Sequence, residues 1–141
     1  MHNGLEVLGA RRIAVVTPYN AEVTAGIVRL LGDRGLDVAA AGSFLEESDA
    51  TVARITEAAV ADAVREMVAD CAGDSDAEGL DAVFVSCTSL RAYGVAADLE
   101  AELGVSVISS NLAFGWHLLR LAGINDELSG LGRLFSLGLE R

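Results

Sequence analysis

Proline occurs once in the 141 residues, histidine twice and cysteine twice, and aromatic side chains make up only 5%. Two thiols, with no histidine-rich cluster beside them, build neither a disulfide framework nor a zinc site. His2 lies in the N-terminal tail and His117 in an apolar helical segment. Neither has a second ligand at metal-binding spacing, so no metal is expected. Positive charge is scarce as well: 10 Lys and Arg stand against 21 Asp and Glu, a formal charge of −11. Such a surface repels phosphate backbones, so nucleic acid is not an expected partner. No apolar run approaches the roughly 20 residues that span a bilayer. The first residues, Met1 to Glu6, carry neither a basic leader nor a signal-like core. The expectation is a soluble, cytoplasmic protein that does not engage a membrane.

What is present is a chain of 52% hydrophobic and 22% charged residues, dominated by Ala, Val, Leu and Gly. That length and that mix suit one ordinary domain, residues 1–141, with Ala/Leu helices packed on Val/Ile strands. Short β-like runs alternate with longer helical ones. Residues 12–17 form a compact apolar run stopped by Pro18. Residues 21–32 then place Val23, Ile27, Leu30 and Leu31 at helical spacing, closed by Gly32 and Gly35. A second strand is predicted at 36–41 and one long amphipathic helix at 51–71, followed by a polar loop at 73–79. A third strand over 80–85, a helix over 90–103 and a fourth strand over 105–108 come next. Asn111 is read as the cap of a last helix running through Trp116 to Leu121 and closed by Gly123.

Near-continuous apolar strands between helices imply a parallel sheet covered on both faces. Right-handed crossovers make it a four-stranded, doubly wound, flavodoxin-like α/β sheet, read here in the order 2-1-3-4, with other orders open. In such a sheet ligands bind beyond the carboxyl ends of the strands. The four tips read Thr17-Pro18-Tyr19-Asn20, Gly42-Ser43-Phe44, Ser86-Cys87-Thr88-Ser89 and Ser109-Ser110-Asn111. They hold hydroxyl and amide groups but no lysine, arginine or carboxylate. A rim of neutral donors beside helix N-termini suits a small carboxylate or its enolate-like intermediate. The first β–α turn, "TPYNAE", contains no glycine, which disfavours a dinucleotide or nucleoside triphosphate.

Cys87 stands at the third tip, immediately before the helix expected from about Ser89, where a positive helix end favours thiolate. Two readings stay open: a small apolar side chain finishing a buried strand, or a nucleophile or acid/base, to which the polar neighbours Ser86, Thr88 and Ser89 lend weight. Cys71 continues the apolar stripe of its own helix. It is expected near the opposite edge of the sheet, roughly 20 Å from Cys87 at about 3.3 Å per strand residue. Tyr19 either covers the sheet end or donates its hydroxyl to an oxyanion. Trp116 reads as core, and His117 as a helix-surface or supporting residue.

The segments "RRIAVVTPYNAEV", "VFVSCTSLRAYG" and "VISSNLAFGWHLLRLAG", in that order, resemble the C-terminal half of the Asp/Glu racemase superfamily. Within it they look most like the maleate cis-trans isomerase branch, which includes arylmalonate decarboxylases; the closing "GLGRLF" fits the same branch. The similarity runs from about Arg11 to Phe135. It implies an enzyme without metal or cofactor, an isomerase, racemase or decarboxylase acting on a small carboxylic acid. Two similar halves would flank the substrate, each with a cysteine. Cys87 matches the second-half cysteine, Tyr19 a carboxylate-contacting tyrosine, and Thr88 a position whose N–H helps hold a carboxylate. Thr17, Asn20 and Ser89 are the further candidates for substrate binding. Two departures stand out. The half bearing the first cysteine is not in this sequence, and Glu46-Glu47-Ser48-Asp49 replaces a segment in which isomerase-like relatives carry asparagine. Two-cysteine chemistry would thus need a second copy, and a homodimer or larger homo-oligomer is expected.

Overall fold

A computed structural model describes residues 1–72 and 79–139. The chain opens with α1 (His2–Val7) and strand β1 (Arg12–Thr17). There follow α2 (Ala21–Gly32), β2 (Asp37–Ser43), α3 (Asp49–Val52) and α4 (Glu57–Ala72). The second half holds β3 (Ala82–Val85), α5 (Ala96–Leu103), β4 (Ser106–Ser109) and α6 (Ser110–Leu121), and it ends in a single 3₁₀ turn at Arg133–Ser136. The four strands are all parallel, in the order β2-β1-β3-β4. This is the order expected from the alternating pattern. Except for Gly79, the polar loop expected at 73–79 lies outside the described residues.

The sheet is apolar where it is covered. Ile13 to Val16 in β1 and Ala82 to Val85 in β3 are all at most 2% exposed. Burying each such Val, Ile or Phe stabilises the fold by roughly 1.5–3 kcal/mol. Strand β2, at the edge, is only half-buried. Trp116 is fully buried, as its helical position predicts, and its indole N–H donates to the Leu137 carbonyl (2.9 Å).

Three elements differ from the sequence reading, and in two of them a side-chain cap outweighs apolar rhythm. The long helix expected at 51–71 is broken. Arg54 and Ile55 donate to the carbonyls of Thr51 and Val52, which tightens the first piece, and the Thr56 hydroxyl accepts from the Ala59 N–H (3.1 Å) to start α4 afresh. The helix expected at 90–103 begins only at Ala96; residues 86–95 form an irregular loop. It does end at Gly104, whose φ of 69° is the left-handed cap a glycine permits. Finally, α6 is capped by Ser109 rather than by Asn111, the Ser109 hydroxyl accepting from the Leu112 N–H (3.1 Å).

Two charged side chains fasten the periphery. Asp81 accepts from the backbone N–H groups of both Arg11 and Arg12 (2.8 Å each), which ties the start of β3 to the start of β1. Arg120 is buried, and among the described residues it has no carboxylate partner. Its guanidinium donates to the carbonyls of Leu137, Ile124 and Phe135 (2.8–2.9 Å) and pins the C-terminal segment to α6.

Candidate active site

Strands β1 and β3 are neighbours, with Val16 opposite Val85, so the tips that follow them emerge side by side. The Ser86 N–H donates to the Val16 carbonyl (2.8 Å) and carries the ladder one residue beyond β3. The chain then turns sharply at Cys87, whose φ is +130°. That conformation is strained for any residue with a Cβ, by about 1–3 kcal/mol, and it persists only where surrounding contacts impose it. The Cys87 N–H donates to the Ser110 hydroxyl (3.1 Å), and Sγ accepts from the Ser89 N–H (3.3 Å). The residue is 7% exposed. The helix N-terminus expected just after it is absent, because α5 starts only at Ala96. The helix whose first turn reaches Cys87 is α6.

Tyr19 comes from the β1 tip. The Cys87 thiol is a near neighbour of its phenol, which is pushed up to about 12. Burial is the largest cause; the contact with Cys87 and the negative charges of Cys87 and Asp49 add to it. The tyrosine is therefore a neutral hydrogen-bond donor at any ordinary pH. Its backbone is held from β2: the Ser43 hydroxyl donates to the Tyr19 carbonyl, and the Glu46 N–H to that of Pro18 (2.7 Å). Ser43 Oγ also accepts from Leu45, a residue with φ of +57°.

The other sequence candidates divide. Thr17 is completely buried with its hydroxyl 2.7 Å from that of Thr24, so it is turned into the fold and away from any ligand. Asn20 spends its side-chain oxygen on the Val23 N–H (3.0 Å) as the cap of α2. Ser89 directs its N–H at the thiol and is itself half-buried. Thr88 is exposed, and among the described residues its N–H has no protein partner. Cys71 stands in the last turn of α4, half-buried. Asp49 was not among the expected site residues; its field at Tyr19 depends on how α3 folds back over the tip. The surface depressions of about 530, 570 and 650 Å³ include neither Cys87 nor Tyr19 in their walls. The tips of β1 and β3 carry a phenol and a thiol.

The family model for arylmalonate decarboxylase matches residues 1–135. The chain belongs to the arylmalonate decarboxylase family. It is 34% identical over 135 residues to the arylmalonate decarboxylase of Bordetella bronchiseptica, covering 94% of this chain and 53% of that one. It is 29% identical to a maleate isomerase of Nocardia farcinica, over 93% of this chain and 49% of the relative. A crystal structure of arylmalonate decarboxylase superposes with a TM-score of 0.81 at 30% identity, over 94% of this chain and 56% of that chain. A Nocardia farcinica maleate cis-trans isomerase, a cysteine-to-serine variant with a covalently bound succinylcysteine intermediate, shares the fold at a TM-score of 0.85 and 24% identity, over 95% and 52% of the two chains. The chain thus spans about half the length of the curated relatives it matches.

Proposed function

We propose that this chain supplies a cysteine-dependent half-site that works without metal or cofactor on a small carboxylic acid, as an isomerase, racemase or decarboxylase. The observation that carries the reading is the strained, buried Cys87, with Tyr19 as its neighbour, at the ligand-binding edge of the sheet. Strain at a cysteine is retained where it serves chemistry. The named activities of the relatives, decarboxylation of arylmalonates and isomerisation of maleate, both act beside a carboxylate.

Cys87 serves such chemistry in two forms. As thiolate, Sγ adds to one alkene carbon of an unsaturated diacid, and the π pair moves onto the neighbouring carboxylate as an enediolate. The carbon–carbon bond, now single, rotates, and expulsion of the thiolate restores the alkene in the other geometry. As thiol, Cys87 gives its proton to the α-carbon of an enediolate left when CO₂ departs, and the thiolate then regains a proton from water. In both, the Tyr19 hydroxyl and the Thr88 N–H stabilise charge on the carboxylate oxygens.

A second copy completes the site in this reading. The exposed face of α6 carries Phe114, Leu118 and Leu121, spaced four and three residues apart and 64%, 49% and 63% exposed. No acidic residue occurs between Glu102 and Asp126, so in a chain of charge −11 this face meets its twin with least repulsion. The deciding experiment incubates the protein with maleate and with an arylmalonate and follows products by proton NMR. Turnover by the wild type that Cys87→Ala abolishes supports the proposal. Full turnover by the Cys87→Ala protein sinks it, and ligand binding without turnover would mark a binding half-domain instead.

A further inference from the structure

Ser110 and Asn111 stand side by side at the start of α6, yet neither is needed to start that helix. Ser109 already provides the cap, its hydroxyl satisfying the Leu112 N–H. The two side chains are instead spent on the Cys87 elbow. Ser110 Oγ accepts the Cys87 N–H (3.1 Å), and Asn111 Nδ2 donates to the Thr88 carbonyl (2.9 Å). One N–H and one C=O of the Cys87–Thr88 segment are thus held by consecutive residues of one helical turn. Neither of these backbone groups has a partner in the sheet, since β3 ends at Val85. Without the helix they would turn to water, and the positive φ at Cys87 would have no local contact enforcing it.

We propose that Ser110 and Asn111 are positioning residues for Cys87: the first turn of α6 clamps the elbow at φ +130° and so keeps the thiol against the Ser89 N–H. The inference rests on the reading of Cys87 as the reactive group for its significance, but the clamp itself is measurable without turnover. Helix α6 is a rigid platform, anchored at its far end by buried Arg120 and lined by Leu112, Ala113 and Trp116. A clamp mounted on a packed helix fixes a loop more tightly than one loop fixes another.

The test uses Ser110→Ala, Ser110→Thr and Asn111→Ala in full-length protein. Tyr93→Phe is added so that Tyr19 is the single tyrosine observed at 295 nm, and Cys71→Ser so that Cys87 is the single thiol. Loss of the clamp lets the elbow relax. The Tyr19 titration then moves down from about 12 as the Cys87 contact is lost, and alkylation of the thiol by iodoacetamide speeds up by about fivefold, the worth of one net hydrogen bond. Ser110→Thr retains the hydroxyl and restores both wild-type readouts. Asn111→Ala, at an exposed position, shifts both in the same direction and folds even if Ser110→Ala does not. Variants that lose thermal stability while Tyr19 titration and alkylation stay at wild-type values overturn the clamp. A clamp that passes this test in a protein whose Cys87→Ser variant keeps full turnover would stand, while the catalytic reading of Cys87 would fall.

Discussion

Tyr19 and Cys87 follow the tips of two adjacent parallel strands, and the thiol is a near neighbour of the phenol. Burial and this contact hold the phenol neutral up to about pH 12. With Tyr93 replaced by Phe, titration at 295 nm should show that midpoint, and a further Cys87→Ala change should lower it without returning it fully to the ordinary value of about 10, because burial remains. A wild-type midpoint near 10 would remove the contact from the site.

The same shift sets a dependence of stability on pH. The folded state holds the Tyr19 proton more tightly than the unfolded chain does. The resulting stabilisation is complete below about pH 10, where tyrosine titrates unfolded, and is lost as pH rises towards about 12. Thermal unfolding of wild type against Tyr19→Phe between pH 9 and 12, a range set by these two values, should show the wild type alone losing its share.

Strain at Cys87 predicts an inverted order of substitutions. Glycine adopts a φ of +130° freely, whereas alanine keeps the strain and loses the sulfur. Cys87→Gly should therefore be more stable than Cys87→Ala by about 1 kcal/mol in urea unfolding, after the extra backbone entropy of glycine is subtracted from the strain relieved. At an unstrained buried position the alanine variant would be the more stable.

Arg120 predicts a large loss far from any chemistry. Truncation to Ala strips the Ile124 and Phe135 carbonyls of their donor and leaves Leu137 only the Trp116 indole, at about 3 kcal/mol in urea unfolding. Arg120→Lys should recover only part of this, since one ammonium lacks the planar fork that reaches all three. Equal stability of Arg120→Ala and wild type would show that the C-terminal segment is held some other way.

Asp81 predicts acid sensitivity. Two backbone N–H groups, that of Arg12 first, hold its carboxyl below the ordinary range. Its stabilisation is present above about pH 4, where the carboxyl titrates unfolded, and is lost as pH falls through the lower folded value. Asp81→Asn should be less stable than wild type at pH 7 in thermal unfolding and should close that gap as the pH falls through the lowered folded value.

The sequence by itself determined the sheet and the place of the site. Apolar runs too continuous to be half-exposed had to form buried parallel strands, and parallel strands present their tips on one edge, so Cys87 and Tyr19 were brought to that edge by pattern alone. The segments around both residues also resembled those of the family to which the chain belongs. Periodicity failed where one hydroxyl outweighs several apolar residues: Thr56 divides a helix that Val52, Ile55 and Ala59 would have joined, and Ser109 takes the cap assigned to Asn111. What only the tertiary structure decided is the setting of the thiol and the phenol. The positive φ at Cys87, the grip of Ser110 and Asn111 and the field of Asp49 all join residues 23 or more positions apart or depend on a backbone angle. Local composition carries no trace of such contacts, because they arise only once the strands have been laid side by side.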